Sequence, residues 1–76
     1  MNDKRRRRLT EAEDLLARAK EVVERVMDEE QDALDNLPEN LEYSDRAEAM
    51  SEAVENLDSA ITSIEEAEEA IAEARG

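Results

Sequence analysis

Among its 76 residues this chain has no cysteine, histidine, tryptophan or phenylalanine, and only one tyrosine, one glycine and one proline. Without cysteine there is no disulfide framework and no thiol chemistry. Without histidine the Glu-x-x-His pair of a ferritin-like di-iron centre cannot be built. A single glycine gives no phosphate-cradling loop. Few β-branched or aromatic residues and almost no turn formers argue against strands. No apolar run approaches the ~18 residues that span a bilayer, and Met1 to Arg8 lacks the apolar stretch of a signal peptide. A cytoplasmic location and no membrane contact are therefore expected.

What the chain does have is charge and rhythm. Asp, Glu, Lys and Arg make up 43% of it, with a net charge of -13, and the composition is that of long helices or coiled coils. Acidity of this order alone would fit disorder. The apolar residues, however, are placed in order. Met50, Leu57, Ile64 and Ile71 are each seven apart, and so are Ala53, Ala60, Ala67 and Ala74. A seven-residue period keeps one face of a helix against a partner helix, and alanine on that face allows close approach.

The first half carries a helical pattern too. Thr10-Glu11-Ala12-Glu13 fits a capping box, and Leu9, Ala12, Leu16, Ala19, Val23 and Val26 follow at spacings of three and four. Asn36-Leu37-Pro38-Glu39-Asn40 breaks the helix, since proline disfavours helical geometry in the residue before it. Ser44 then offers a capping hydroxyl, with Asp45 in the first turn. The expected fold is all-α: one domain, 1–76, forming an antiparallel two-helix hairpin. It divides into a basic leader (1–8), helix 1 (about 9–36), a hinge loop (37–43) and helix 2 (about 44–75).

One hairpin does not cover its apolar surface. Chains this short seldom bury enough to fold without a disulfide, a metal or oligomerisation. The expected helix–helix seam comprises Leu16, Ala19, Val23 and Val26 against Met50, Ala53, Leu57, Ala60, Ile64, Ala67 and Ile71. That leaves Leu15, Val22, Met27 and Leu34 on one helix, and Val54 and Ile61 on the other, for self-association. A homodimer forming a four-helix bundle is the economical arrangement.

Five contiguous cations, Lys4, Arg5, Arg6, Arg7 and Arg8, invite comparison with a nucleic-acid arm. Residues 9–76 nevertheless hold 22 acids and 5 bases, and no aromatic residue is interleaved to stack bases. Folding the hairpin about residue 40 lays the arginines beside Glu68, Glu69 and Glu73, at the negative end of the helix dipole. A clamp on that end is the preferred reading, with nucleic-acid contact as the alternative.

The run Glu65-Glu66-Ala67-Glu68-Glu69 resembles the EExxE magnesium motif of MazG-type nucleotide pyrophosphatases. The ExxD partner that such enzymes carry on a later helix is missing, because Glu29 and Asp32 lie upstream. No catalytic, cofactor-binding or metal site is expected, and the chain reads as a non-enzyme. Glu30 falls on the apolar rhythm and is expected at the seam edge, reaching water. Tyr43, the sole aromatic residue, is expected to cap the open end of the bundle, with partner contact as the alternative.

The stretch from Glu29 to Leu41 (EEQDALDNLPENL), with Ser44, Arg46, Glu48 and Met50 after it, resembles a group of short acidic helical proteins. These are encoded by phages, prophages and bacterial genomes, mostly without an assigned activity. The resemblance covers the hinge and the second helix and implies a mobile-element setting, but it carries over no functional residue. The hairpin plan is also similar to that of the Rop RNA-binding family, in architecture alone.

The leading expectation is a small non-enzymatic interaction module or regulator that self-associates and binds a protein partner. The alternative is an acidic nucleic-acid mimic, of anti-defence type, blocking a host nucleic-acid-binding protein. A second alternative is nucleic-acid binding through Arg5–Arg8.

Overall fold

The computed structural model describes all 76 residues and is a helical hairpin measuring 60 × 14 × 12 Å. Helix α1 spans Asp3–Asp35, one 3-10 turn covers Glu39–Leu41, and helix α2 spans Asp45–Arg75.

The first helix begins earlier than the expected position 9, and there is no separate leader. Asn2 is the N-cap: its side-chain oxygen accepts from the Arg5 amide at 2.8 Å. Asp3 places an acid in the first turn, where the helix dipole favours it. Arginine is a good helix former, so nothing in residues 4–8 halts the helix once Asn2 has capped it. The capping box at Thr10 is accordingly absent. Thr10 lies inside α1 and its hydroxyl donates back to the Arg6 carbonyl at 3.1 Å.

The hinge follows local chemistry. Asn36 ends α1 with its amide and its side-chain Nδ2 both donating to the Asp32 carbonyl, at 3.1 and 2.7 Å. Pro38 prevents the helix from resuming. Ser44 caps α2: its Oγ accepts from the Ala47 amide at 3.2 Å and donates to the Leu41 carbonyl at 2.7 Å. One side chain thus ties the hinge to the first turn of α2. Ser44→Ala should cost ~1 kcal/mol, the usual value of an N-cap, read as a lower denaturation midpoint with an unchanged slope.

Burial shows which faces meet. In α2 a ladder of covered positions runs Ala47, Met50, Val54, Leu57, Ile61, Ile64, Glu68, Ile71 and Arg75, spaced alternately three and four, with Ala53, Ala60 and Ala67 half-buried beside it. In α1 the ladder is Leu9, Glu13, Leu16, Lys20, Val23, Met27, Glu30 and Leu34, spaced four and three and continued by Leu37 in the hinge, with Ala12 and Gln31 half-buried beside it. This is heptad packing on both sides. Only Ala47 (4% exposed) and Ile61 (8%) are fully buried. The others are half-buried, as two helices alone must leave them.

Several side chains expected on the outer face belong to this seam. Ile61 is its best-buried large residue, and Val54, Met27 and Leu34 are half-buried along it. Conversely, Ala19 and Val26, expected in the seam, are exposed, Val26 by 44%. Leu16 and Val23 lie half-buried opposite Met50, Ala53, Leu57, Ala60, Ile64, Ala67 and Ile71, all half-buried too. The physical reason is the 100° step between successive helical residues. Leu15 and Leu16, Val22 and Val23, and Val26 and Met27 are adjacent apolar pairs, and the seam takes the second member of each.

Candidate interaction surfaces

Rotating away from the seam, the hairpin has two flanks of opposite character. On one flank of α1 stand Leu15 (57% exposed), Ala19, Val22 (56%) and Val26 (44%), spaced four, three and four. The neighbouring edge of α2 carries Ala53, Asn56, Ala60, Ser63 and Ala67. Val26 shares a shallow depression with Ala53, Asn56 and Leu57, bordered by Glu29 and Glu30, which places the two edges side by side. Between Leu15 and Val26 on α1, and between Ala53 and Ala67 on α2, these positions bear no charge.

On the other flank α1 carries Ala17, Lys20, Glu24, Asp28, Gln31 and Asp35 at the same helical spacing, and α2 carries Ser51, Glu55, Asp58, Thr62, Glu65 and Glu69. This flank is acidic; Lys20 is the one cation in these two rows, and Arg18 borders it beside Ala17 and Glu24. Lys20 Nζ donates to Glu65 Oε2 at 3.1 Å across the hairpin. That bond, aided by the charges of Glu65, Glu24 and Glu68 and opposed by partial desolvation, holds the Lys20 ammonium above its ordinary value of 10.5. A raised lysine pKa favours the folded state below the ordinary value and loses that contribution as pH climbs through the raised one. Alkaline titration past 10.5 should therefore destabilise the wild type more than a Lys20→Gln variant, as read from chemical denaturation midpoints.

At the open end of the hairpin Arg75 Nε donates to Glu13 Oε1, and Nη2 reaches Glu13 Oε2 at 3.4 Å. The hydrogen bond that Arg75 donates to Glu13, and then the charge of that carboxylate, raise the Arg75 pKa. Two polar residues thus occupy seam positions and satisfy each other, which lets the heptad pattern continue to the last turn. Glu13→Gln should speed amide exchange over residues 68–75 and leave residues 47–61 protected.

The arginine run does not clamp the acidic end as expected. Arg6 alone reaches α2, its Nε donating to the Arg75 carbonyl at 3.0 Å, while its Nη1 pairs with Asp3 at 3.1 Å. No ion pair joins Arg5, Arg7 or Arg8 to Glu68, Glu69 or Glu73. Along a helix, residues 5 to 8 point in four directions, so one of four meets the neighbouring helix. Arg5 and Arg8 instead line a depression with Met1, Leu9, Ala12 and Leu15, into which Glu11 also projects.

Tyr43, at the hinge, is 95% exposed in the single hairpin. Glu30 is half-buried on the seam and makes no ion pair. No carboxylates are gathered in a group of three that would hold a metal, the Glu65–Glu69 run included. No helix is long and apolar enough to cross a membrane.

No family model, curated protein or solved structure matches this chain.

Proposed function

We propose that the protein is a small non-enzymatic interaction module of a mobile-element type. It self-associates through its charge-free flank and binds a basic protein surface through its acidic one. The observation that carries this reading is the division of one thin rod into two unlike flanks. An exposed apolar row on a chain of net charge -13 is costly to leave wet. A row of carboxylates along ~40 Å of helix favours a cationic partner and speeds encounter with it. Regulation by occupancy follows: the module acts by covering what it binds.

A more specific form of the same reading is a nucleic-acid mimic, supported by the carboxylates at regular helical intervals from Glu24 to Asp35 and from Glu55 to Glu69. A mimic would occupy a cleft that otherwise receives phosphates. Direct nucleic-acid binding has weaker support, because Arg6 is engaged at the end of α2 and the acidic flank repels phosphate.

The test is affinity capture from host extract, with the wild type and a variant in which Glu24, Asp28, Glu55 and Asp58 are amides. The wild type should retain a protein that added salt releases and that the variant never retains. Identical capture by both proteins would exclude the acidic flank as the binding surface. If the retained protein binds DNA or RNA and loses it to the wild type, the mimic is the correct form.

A further inference from the structure

The self-association proposed above leaves open how the two copies lie. We propose that the α1 row Leu15, Ala19, Val22 and Val26 receives the same row of a second copy in antiparallel orientation. The basic start of each α1 then lies over the acidic, hinge-side end of the other copy's α1. This inference rests on the self-association reading and adds its geometry.

The first support is area. A compact monomer of 8.6 kDa exposes ~4,700 Å² by the usual mass scaling. This hairpin exposes 5891 Å². The excess is of the order that each partner buries in a standard interface, ~800 Å². The exposed apolar row and the small residues beside it are where the excess can be removed without desolvating charge.

The second support is charge complementarity. The row runs between two shallow depressions of opposite sign. Leu15 borders one that contains Arg5 and Arg8 beside a single carboxylate, Glu11. Val26 borders another that contains Glu29 and Glu30. A two-fold axis between Ala19 and Val22 sets Leu15 of one copy opposite Val26 of the other, and Ala19 opposite Val22. Continued outward, it brings Arg8 within about a turn of the second copy's Glu29 and Glu30. A parallel arrangement would instead stack Arg5 and Arg8 on their own counterparts and Glu29 and Glu30 on theirs. For two chains that each carry -13, only the antiparallel arrangement turns the charged ends to attraction.

The absence of native cysteine makes the orientation measurable. Tyr43→Cys, at an exposed hinge site away from the row, takes a spin label, and electron–electron dipolar spectroscopy reads the label-to-label distance. With the axis near residues 19–22, the hinges lie at opposite ends and the distance should be about 50 Å at 1.5 Å per residue. A distance below about 25 Å would mean a parallel pair and overturn this proposal while leaving self-association intact. Absence of dipolar coupling at micromolar concentration would overturn self-association itself. As a second readout, an equal mixture of Leu15→Cys and Val26→Cys chains should oxidise mainly to the mixed disulfide. Predominance of the two homodisulfides would contradict the antiparallel register.

Discussion

Ile61→Ala should lower the thermal unfolding midpoint by about 10 °C, more than any other single truncation to alanine in the chain. Ile61 is the one large side chain that the hairpin buries, at 8% exposure. Truncating a buried isoleucine costs ~2 to 5 kcal/mol. The lower end applies here, because neighbours along a seam of half-buried residues can close part of the gap. A domain of this size holds only ~4 to 11 kcal/mol in total, and each kcal/mol moves its midpoint by ~4 to 8 °C. Ile61 faces α1 rather than a second copy, so the variant should keep the wild type's sedimentation mass. Ala72→Leu, at an exposed position one turn from the seam's end, should leave the midpoint nearly unchanged. If Ile61→Ala dissociated the protein without lowering the stability of the hairpin, Ile61 would belong to the outer interface.

The opposite pattern should follow from the double variant Leu15→Glu, Val22→Glu. Both residues are more than half exposed, so the hairpin itself loses little. Between two copies, however, the variant removes four apolar side chains and lines up four carboxylates along the interface, each about one turn from the next. If each lost side chain forfeits only ~0.8 kcal/mol of burial, the four together forfeit ~3 kcal/mol. That corresponds to a dissociation constant raised ~100-fold, before repulsion is added. The helical circular dichroism spectrum should persist at high protein concentration while the mass falls to that of one chain. Unaltered mass would remove the α1 row from the interface.

These two variants separate what the sequence makes legible from what it leaves ambiguous. The hairpin is legible because its signals are local: the break at Asn36-Leu37-Pro38, the cap at Ser44 and the seven-residue ladder from Met50. Each is a statement about one turn of chain. The N-terminus of α1 is less legible, because two capping residues compete. Thr10 has Glu13 three residues on, whereas Asn2 has only Asp3 beside it, and the arginines between them are helix formers that let the earlier cap prevail.

The seam is less legible still. Three adjacent apolar pairs in α1 support two stripes 100° apart, and hydrophobicity alone does not choose between them. The deciding residues are charged ones. The ladder Leu9, Leu16, Val23, Met27, Leu34 and Leu37 is continuous only if Glu13, Lys20 and Glu30 are admitted to it. In α2 the matching ladder requires Glu68 and Arg75. Glu13 and Arg75 neutralise each other across the hairpin, and Lys20 is neutralised by Glu65, so their presence near the seam is tolerated. Charge pairing between helices is a tertiary property, and no single-helix pattern displays it. The same holds for the arginine run: its composition suggested a clamp on α2, while the direction of each side chain left only Arg6 to reach it.

The central claim, that this hairpin is one half of a symmetric assembly, is tested most directly by sedimentation equilibrium of the unmodified chain across the micromolar range. The predicted result is a mass twice the 8.6 kDa of one chain, falling toward one chain only on dilution. A mass of 8.6 kDa throughout that range would contradict it.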